Sequence, residues 1–284
     1  MSDSILAMTD SETAYAKINL ALHVRKRLPD GYHRIETIFA FLDRGDLVSV
    51  GPGKDLSLGI GGPFAEGLSI SGNLVLQAAE QLAESSNVTR GASIHLDKRL
   101  PVASGIGGGS ADAAATLRLL NRFWDLDHSV AALAEIAKPL GADVPACVYS
   151  QTCRGTGIGQ DLALMPDDDV RGCAALLINP LVAVATADIF AAWDGIDRGA
   201  LGEGRALAVA GNGRNDLQNP ALAQVPILTD MLLLLEECQP ILARMSGSGA
   251  TCFALFDTLD AADLAERRCR QAMGNIWTMT GDCR

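Results

Sequence analysis

Residues 100–115 read LPVASGIGGGSADAAA, with four glycines between positions 105 and 109. The pattern before this loop predicts a strand over Ser93–Leu100, and the alanine-rich pattern after it predicts a helix through Leu119. Glycine lets backbone N–H groups approach a phosphate closely, and a helix N-terminus adds unpaired donors and a positive dipole end. Ser110 is expected to cap this helix and to turn its hydroxyl towards a phosphate or a magnesium ion. A tight connection without a ligand is the alternative, but four glycines are a costly choice for a mere turn.

Two common phosphate loops do not fit this segment. A Walker loop requires a Lys-Ser or Lys-Thr pair after its last glycine, and Gly109 is followed by Ser110 and Ala111. A dinucleotide-binding fingerprint requires a third glycine at position 110, which is serine here.

Composition limits the classes of partner. The 284 residues are enough for two modest domains or one large one, and the net charge is −11. Such a charge argues against a general affinity for nucleic acid or anionic membranes, although it allows a small anion in a local pocket. No apolar run approaches the roughly 18 residues of a membrane span. The N-terminus is acidic, unlike the basic start of a signal peptide, so we expect a cytoplasmic protein.

The spacing of the cysteines and histidines along the sequence does not indicate a metal site. The seven cysteines are an odd number without a CxxC pair, which is typical of reduced thiols in a cytosol. The four histidines do not have the spacing of metal ligands. We therefore expect no metal site built by protein side chains alone, and the oligomeric state stays open.

Periodicity predicts alternating strands and helices. Ala14–Val24 alternates like a strand, with Lys17 and Asn19 on one face, and the turn Pro29-Asp30-Gly31 starts a hairpin that returns through Phe41. The other predicted strands are Leu47–Val50, Leu56–Ile60, Leu176–Ile178, Ile241–Met245, Thr251–Phe256 and Ile276–Thr280. One further helix is predicted to begin after an N-cap at Asn73. Three more are predicted over Ala187–Trp193, Leu222–Cys238 and Asp260–Met273. Residues 195–213 are predicted to be a loose stretch. A boundary in 153–159 gives domains 1–153 and 154–284.

Three short motifs together resemble those of the GHMP kinases. The segment from Pro101 to Ala111 resembles the family's ATP loop, 16–20 (AKINL) resembles its first motif, and 245–251 (MSGSGAT) resembles its third. Taken alone, Gly247 and Gly249 are equally consistent with a turn between two strands. The resemblance implies an α+β kinase with two domains, a ribosomal-protein-S5-like N-terminal domain and a ferredoxin-like C-terminal domain, that uses ATP and Mg²⁺.

The resemblance also assigns residues to the nucleotide. It places ATP against the loop and the third motif, with Asn73 and Lys98 bordering the adenine. These residues are Asn73, Lys98, Pro101, Ser104, Gly105, Ile106, Gly107, Gly108, Gly109, Ser110, Ala111, Gly247, Ser248 and Gly249.

Two residues match the catalytic pair of the family. Asp143 is expected to accept the proton of the attacking alcohol, and Lys17 to keep that carboxylate ionised and to offset charge on the transferred group. From the residues alone, the pattern favours a helix cap before Val144-Pro145 for Asp143 and a solvated side chain on a strand for Lys17.

Four stretches, one of them already named, are similar to one branch of the family, which phosphorylates a cytidine diphosphate-linked alcohol. They are 16–20, 30–33 (DGYH), 141–145 (GADVP) and 215–217 (NDL). The likeness implies that Tyr32 stacks on cytosine, His33 bonds its polar edge and Phe190 covers the opposite face, although Phe190 also suits a core. Asn19 and Thr186 are expected to contact the same substrate. The alternatives are a relative acting on homoserine, mevalonate or a sugar, and a catalytically silent nucleotide-binding protein.

Overall fold

A computed structural model of the chain describes residues 9–166 and 168–284. Its strands are β1 (Asp10–Arg27), β2 (His33–Gly53), β3 (Leu56–Gly61), β4 (Gly91–Asp97), β5 (Cys153–Thr156), β6 (Asp161–Leu164), β7 (Ala174–Asn179), β8 (Leu242–Met245), β9 (Cys252–Phe256) and β10 (Trp277–Asp282). Its α-helices are α1 (Leu74–Ser85), α2 (Gly108–Phe123), α3 (Val130–Ala137), α4 (Val144–Tyr149), α5 (Thr186–Ala191), α6 (Ala206–Asn212), α7 (Gln218–Gln224), α8 (Ile227–Glu236) and α9 (Leu259–Met273).

The chain forms two compact units, and each collects segments that are separate in sequence. Unit 1 contains residues 9–16 together with Gly45–Leu100 and Gly108–Tyr149. Unit 2 contains Lys17–Arg44, Pro101–Gly107 and Ser150–Arg284. The chain passes from unit 1 to unit 2 for the last time after Tyr149, and a domain boundary at 153/154 stays a prediction.

The strand β2 is longer than the sequence pattern indicates. A hairpin arm and a separate strand at Leu47–Val50 were expected, whereas one strand of 21 residues runs from His33 to Gly53. The polar residues at 43–46 interrupt the hydrophobic alternation, but the extended backbone continues through them. Gly45 permits a close approach here, since a Cβ at this position would lie 1.8 Å from the carbonyl oxygen of Ala14. The prediction of two separate strands is therefore wrong.

Unit 1 combines helices with a small group of strands. The strand β4 pairs antiparallel with Leu47–Gly53 of β2 and parallel with β3, and α1 makes the crossover between β3 and β4. As predicted, Asn73 caps α1, because its side chain accepts a hydrogen bond from the backbone N–H of Val75. One face of α1 is buried, and its residues recur at helical spacing: Val75, Ala78, Ala79 and Leu82.

Unit 2 contains an antiparallel sheet with the strand order β10-β7-β9-β8. Numbered along the chain, these four strands have the order 4-1-3-2 of a ferredoxin-like domain, which confirms that part of the predicted fold. Every residue of the central strand β7 is buried, and α8 and α9 pack on the sheet. A second group of strands in this unit joins Thr37–Phe39 of β2 to β5, and β5 to β6.

The predicted elements of the second half are present within a few residues, with two exceptions. The single helix expected over Leu222–Cys238 is two helices, α7 and α8, separated at Val225 and Pro226. Proline disfavours the helical conformation of the residue before it, and Val225 accordingly has φ −130° and ψ 79°. The stretch 195–213 was expected to be loose throughout, but α6 occupies its last part, where four consecutive residues from Ala206 are alanine, leucine, alanine and valine.

Two kinds of feature are absent from the described residues. None of their helices is long and apolar enough to cross a membrane. Among the same residues, the side chains of histidine, cysteine, aspartate and glutamate form no group of three that could hold a metal ion.

Candidate active site

The glycine loop of unit 2 is held by residues of the third glycine motif. The hydroxyl of Ser246 donates to the carbonyl oxygen of Gly105 (2.9 Å), and the backbone N–H of Thr251 donates to the carbonyl oxygen of Ser104 (3.1 Å). Within the loop, the hydroxyl of Ser104 donates to the carbonyl oxygen of Pro101 (2.7 Å). Gly105 has φ +77°, and a Cβ on it would lie 2.4 Å from the carbonyl oxygen of Ser246. Glycine is therefore required at position 105 by both conformation and close approach.

The helix α2 follows this loop directly. It begins at Gly108, so Ser110 lies in its first turn and is not the N-cap that the sequence predicted. The helical conformation therefore begins three residues nearer the N-terminus than a cap at Ser110 would place it. The first backbone N–H groups of any helix lack partners within the helix, and in α2 they belong to the glycine-rich segment. Gly109 is exposed, Ser110 is half-buried and Ala111 is buried.

The third glycine motif forms a turn between β8 and β9. The backbone N–H of Ser246 donates to Thr251 (2.9 Å), and that of Gly249 donates to Ser246 (2.9 Å). Gly247 and Gly249 have φ values of +55° and +85°, which favour glycine. The hydroxyls of Ser248 and Thr186 are 2.9 Å apart.

Asn215 supports this turn and was not among the predicted site residues. Its Nδ2 donates to the carbonyl oxygens of Met245 and Gly247, both at 2.8 Å, and its Oδ1 accepts from the N–H of Leu217 (3.0 Å). The resemblance pointed to the segment 215–217, but no pattern in the sequence indicated that its asparagine fixes the glycine turn.

Lys17 and Asn19 lie next to each other on β1, as their alternation predicted. Lys17 Nζ donates to Asn19 Oδ1 (2.8 Å), and Asn19 Nδ2 donates to the hydroxyl of Thr37 (2.8 Å). The backbone N–H of Asn19 donates to the hydroxyl of Ser246 (3.1 Å). Lys17 is only 3% exposed, and its ammonium lies 5.3 Å from the ring centroid of Phe39. Lys17 is therefore not a solvated side chain on a strand face, which was the alternative interpretation.

Asp143 lies in unit 1, immediately before α4. Its carbonyl oxygen accepts the N–H of Cys147 (3.1 Å), so the residue occupies the N-cap position of that short helix. The side chain is half-buried. A capping position is compatible with catalysis, and because Lys17 belongs to unit 2, the pairing of Asp143 with Lys17 stays a prediction.

Lys98 has a different environment from the one expected for a residue at an adenine. Its ammonium donates to Asp46 Oδ2 (2.5 Å) and to Asp112 Oδ2 (2.7 Å), and all three side chains are at most 4% exposed. Asp46 Oδ1 also accepts the backbone N–H of Arg99 and of Leu100. The cluster therefore links the end of β4 to the first turns of α2, on both sides of the glycine loop in sequence.

The charges of this cluster are unbalanced, because one ammonium serves two carboxylates. Burial raises the pKa of Asp112 to about 8, with Lys98 acting in the opposite direction and Asp46 adding to the rise. Burial also opposes the charge of Lys98, but the two carboxylates outweigh it and raise the pKa of the ammonium. Asp112 Oδ1 is buried without a hydrogen-bond partner among the described residues.

The residues expected to read a base meet in unit 2. The rings of His33 and Phe190 have centroids 5.0 Å apart at 38°, and Trp193, which the sequence did not single out, lies 5.8 Å from His33 at 83°. Tyr32 is 59% exposed, whereas His33 is 7% exposed. Phe190 also packs against the core below α5, so its two interpretations are compatible. Burial, and then the charge of Arg27, lowers the pKa of His33.

Comparison with known proteins gives consistent matches. Residues 73–151 match the family described as "GHMP kinases N terminal domain", and residues 196–275 match "GHMP kinases C terminal". The chain is 50% identical over 283 residues to the 4-diphosphocytidyl-2-C-methyl-D-erythritol kinase of Rhizorhabdus wittichii, covering 98% of this chain and 96% of that protein. It is 49% identical over 285 residues to the enzyme of the same name from Sphingopyxis alaskensis, covering 98% and 100%.

Solved structures agree with these matches. A crystal structure of 4-(cytidine 5'-diphospho)-2C-methyl-D-erythritol kinase superposes with a TM-score of 0.76 at 29% identity, covering 96% of this chain and 99% of that one. The homoserine kinase of Cytophaga hutchinsonii superposes with a TM-score of 0.68 at 18% identity, covering 98% and 96%. The second likeness concerns the fold alone.

Proposed function

This chain belongs to the GHMP kinase family, and we propose from that premise that it transfers the γ-phosphoryl group of ATP to the 2-hydroxyl of 4-diphosphocytidyl-2-C-methyl-D-erythritol. The observation that carries the proposal is the 50% identity to a kinase of that name over nearly the whole chain. The ring group of His33, Phe190 and Trp193, with Tyr32 exposed, supports a cytosine-containing substrate, because stacking faces and a polar ring nitrogen suit a base. The substrate is thus a small molecule, and we further propose a cytoplasmic location.

The reaction needs little covalent chemistry from the protein. Phosphoryl transfer in line depends on positioning and on stabilisation of the charge that spreads over the transferred group. Backbone N–H groups of the glycine loop and of the first turn of α2 bind the phosphates of ATP. Lys17, buried beside Asn19, adds a positive charge, and Asp143 accepts the proton of the attacking 2-hydroxyl.

A magnesium ion is expected to accompany ATP. Ser110 fits this role, because it is a half-buried residue in the first turn of α2 and its hydroxyl forms no hydrogen bond with the described residues. Oxygen donors suit Mg²⁺, and in kinases most of its other ligands are phosphate oxygens and water. When bound, the ion neutralises charge on the phosphates. The contact of Ser110 with magnesium is a proposal.

The test is turnover of the diphosphocytidyl substrate by wild-type protein and two variants. We expect Asp143→Asn to lower kcat by about 100-fold or more, because a positioned base contributes about that much. Lys17→Met should lower kcat similarly, while both variants still bind ATP. Asp127→Asn, an exposed carboxylate changed in the same way, and Lys26→Met, an exposed lysine, are the matched controls.

The outcomes separate the alternatives. Near-normal rates for both variants would contradict the assigned roles. Phosphorylation of homoserine, mevalonate or a sugar, without turnover of the diphosphocytidyl compound, would overturn the substrate. Absence of ATP consumption with every acceptor would identify a silent nucleotide-binding protein. The position of the phosphate in the product decides whether the 2-hydroxyl is the acceptor.

A further inference from the structure

Asn179, the last residue of β7, holds the segment of chain that leads to α5. Its side chain is buried and forms two hydrogen bonds. Oδ1 accepts the backbone N–H of Leu181 (2.7 Å), and Nδ2 donates to the hydroxyl of Thr251 (2.8 Å). A backbone N–H can only donate, so these partners fix the orientation of the amide. Asn179 therefore connects the segment 180–185 to the third glycine motif, within unit 2.

Leu181 has a backbone conformation that leucine disfavours. Its φ is +59°, in the left-handed region, where the Cβ of an L-residue is crowded. Its side chain is 46% exposed, so it gains little from packing. Of the backbone N–H groups from Leu181 to Ala185, only that of Leu181 donates to another group of the described residues. The bond to Asn179 thus holds the segment, and such conformations persist only where neighbouring groups determine them.

The far end of the segment carries residues assigned to the substrate. Thr186 begins α5, and its hydroxyl lies 2.9 Å from that of Ser248 in the third glycine motif. Phe190 lies about one turn further along α5, beside the ring of His33. Only four residues lie between Leu181 and Thr186, so a different backbone conformation at Leu181 would shift the start of α5.

We propose that Asn179 is a positioning residue: it holds Leu181 in the left-handed conformation and thereby places Thr186 and Phe190 for the substrate. The proposal rests on the proposed function, which assigns those two residues to the diphosphocytidyl compound. Without the amide, Leu181 returns to a conformation that leucine prefers, and the start of α5 loses its place against the third glycine motif. The effect falls on substrate binding, because neither residue is assigned to the transferred phosphoryl group.

Steady-state kinetics of Asn179 variants test this role. In Asn179→Leu, which removes both hydrogen bonds at similar size, we expect KM for the diphosphocytidyl substrate to rise about tenfold, the size of one hydrogen bond, with kcat little changed. Asn179→Ser should have an intermediate KM, because a serine hydroxyl bonds the N–H two residues on more weakly. Thr251→Val removes only the bond to the third glycine motif and should change this KM less. An unchanged KM in Asn179→Leu, or a rise confined to KM for ATP, would overturn the proposal.

A glycine at position 181 should reverse the effect. Glycine adopts positive φ without help, so the double variant Asn179→Leu/Leu181→Gly should recover most of the wild-type KM. Val182→Gly in the same background is the matched control, because Val182 is almost as exposed (45%) and does not have positive φ. It should recover nothing. Equal KM values for the two double variants would contradict the assigned role of Asn179.

Urea unfolding provides a readout that needs no substrate. Both glycine replacements increase the freedom of the unfolded chain, so a difference between the two double variants reports the left-handed conformation. We expect the higher urea midpoint with Leu181→Gly, and equal midpoints would overturn the proposal. If Asn179→Leu does not fold, the same two replacements are compared in Asn179→Ser. If the wild type phosphorylates no diphosphocytidyl compound, the proposed function fails, while the urea midpoints still decide whether Asn179 holds Leu181.

Discussion

Replacing Lys98 with methionine removes the cation that two buried carboxylates share. Lys98 Nζ lies 2.5 Å from Asp46 and 2.7 Å from Asp112, and the three side chains are 4%, 0% and 4% exposed, respectively. Removing one partner of a buried pair typically costs about 3 to 5 kcal/mol, because the other charge stays buried without compensation. We expect Lys98→Met to lose at least that much free energy of unfolding, since it leaves two buried carboxyl groups without their cation.

Asp112→Asn provides the matched comparison. It leaves the Lys98–Asp46 pair intact and replaces a carboxyl group that stays protonated in the folded chain below about pH 8, so we expect it to cost at most about 1 to 2 kcal/mol, the range for one altered buried hydrogen bond. Lys98→Met removes the positive charge of the cluster, whereas Asp112→Asn removes a negative charge only above about pH 8. A large difference between them therefore measures the charge balance rather than the packing.

The comparison also depends on pH. Because the pKa of Asp112 is raised from 3.8 to about 8, the folded chain keeps a proton that the unfolded chain releases above its ordinary pKa. This contribution to stability is present at low pH and is lost as the pH rises from about 4 to about 8. Asp112→Asn does not titrate, so its stability relative to the wild type should improve over that range.

Urea unfolding followed by tryptophan fluorescence measures these effects, since Trp124 is buried in unit 1. The measurement is made at pH 6 and at pH 8 for the wild type and both variants. A loss below about 1 kcal/mol for Lys98→Met, against the expected cost of a broken buried pair, would refute the reasoning. Equal losses for the two variants, or a pH-independent difference, would also refute it. If Lys98→Met does not fold, the pH dependence of Asp112→Asn remains decisive.

Two other changes test the loop and the base-reading surface. Gly105→Ala should cost more than the ~1 to 2 kcal/mol of left-handed strain alone and raise KM for ATP, because its Cβ meets the carbonyl oxygen of Ser246. Gly67→Ala, with positive φ but open space, should show only the strain, and equal thermal shifts for the two would contradict the clash. Tyr32→Ala should change stability by no more than about 0.5 kcal/mol but raise KM for the cytidine substrate about tenfold, the size of a lost stacking contact. Tyr32→Phe should behave like the wild type, and an unchanged KM in Tyr32→Ala would exclude stacking.

Local patterns in the sequence predicted the elements that depend on local physics. The alternation around Lys17 and Asn19 gave the strand, and the cap at Asn73 gave the start of α1. The break at Pro226 was also visible in the sequence, since proline restricts the residue before it, but the hydrophobic run across it concealed two helices.

Contacts between distant positions could not be predicted in this way. Asp46 reaches Lys98 across 52 residues, and Asn215 reaches Gly247 across 32. No period or spacing relates such residues, because their proximity arises only when the whole unit has folded. For the same reason Lys98 was expected at a ligand, whereas the structure places its ammonium between two carboxylates.

The hydrogen bonds between the glycine loop and the distant glycine turn constrain how this chain can be recombined with its relatives. Ser246 and Gly105 are 141 residues apart, yet one donates to the other, and Thr251 does the same to Ser104. A chimera joined at residue 153 would take the two halves of this contact from different parents. We expect chimeras to bind ATP well only when their junctions leave the loop and the turn from the same parent. A mutant library should therefore vary the glycine loop and the glycine turn together.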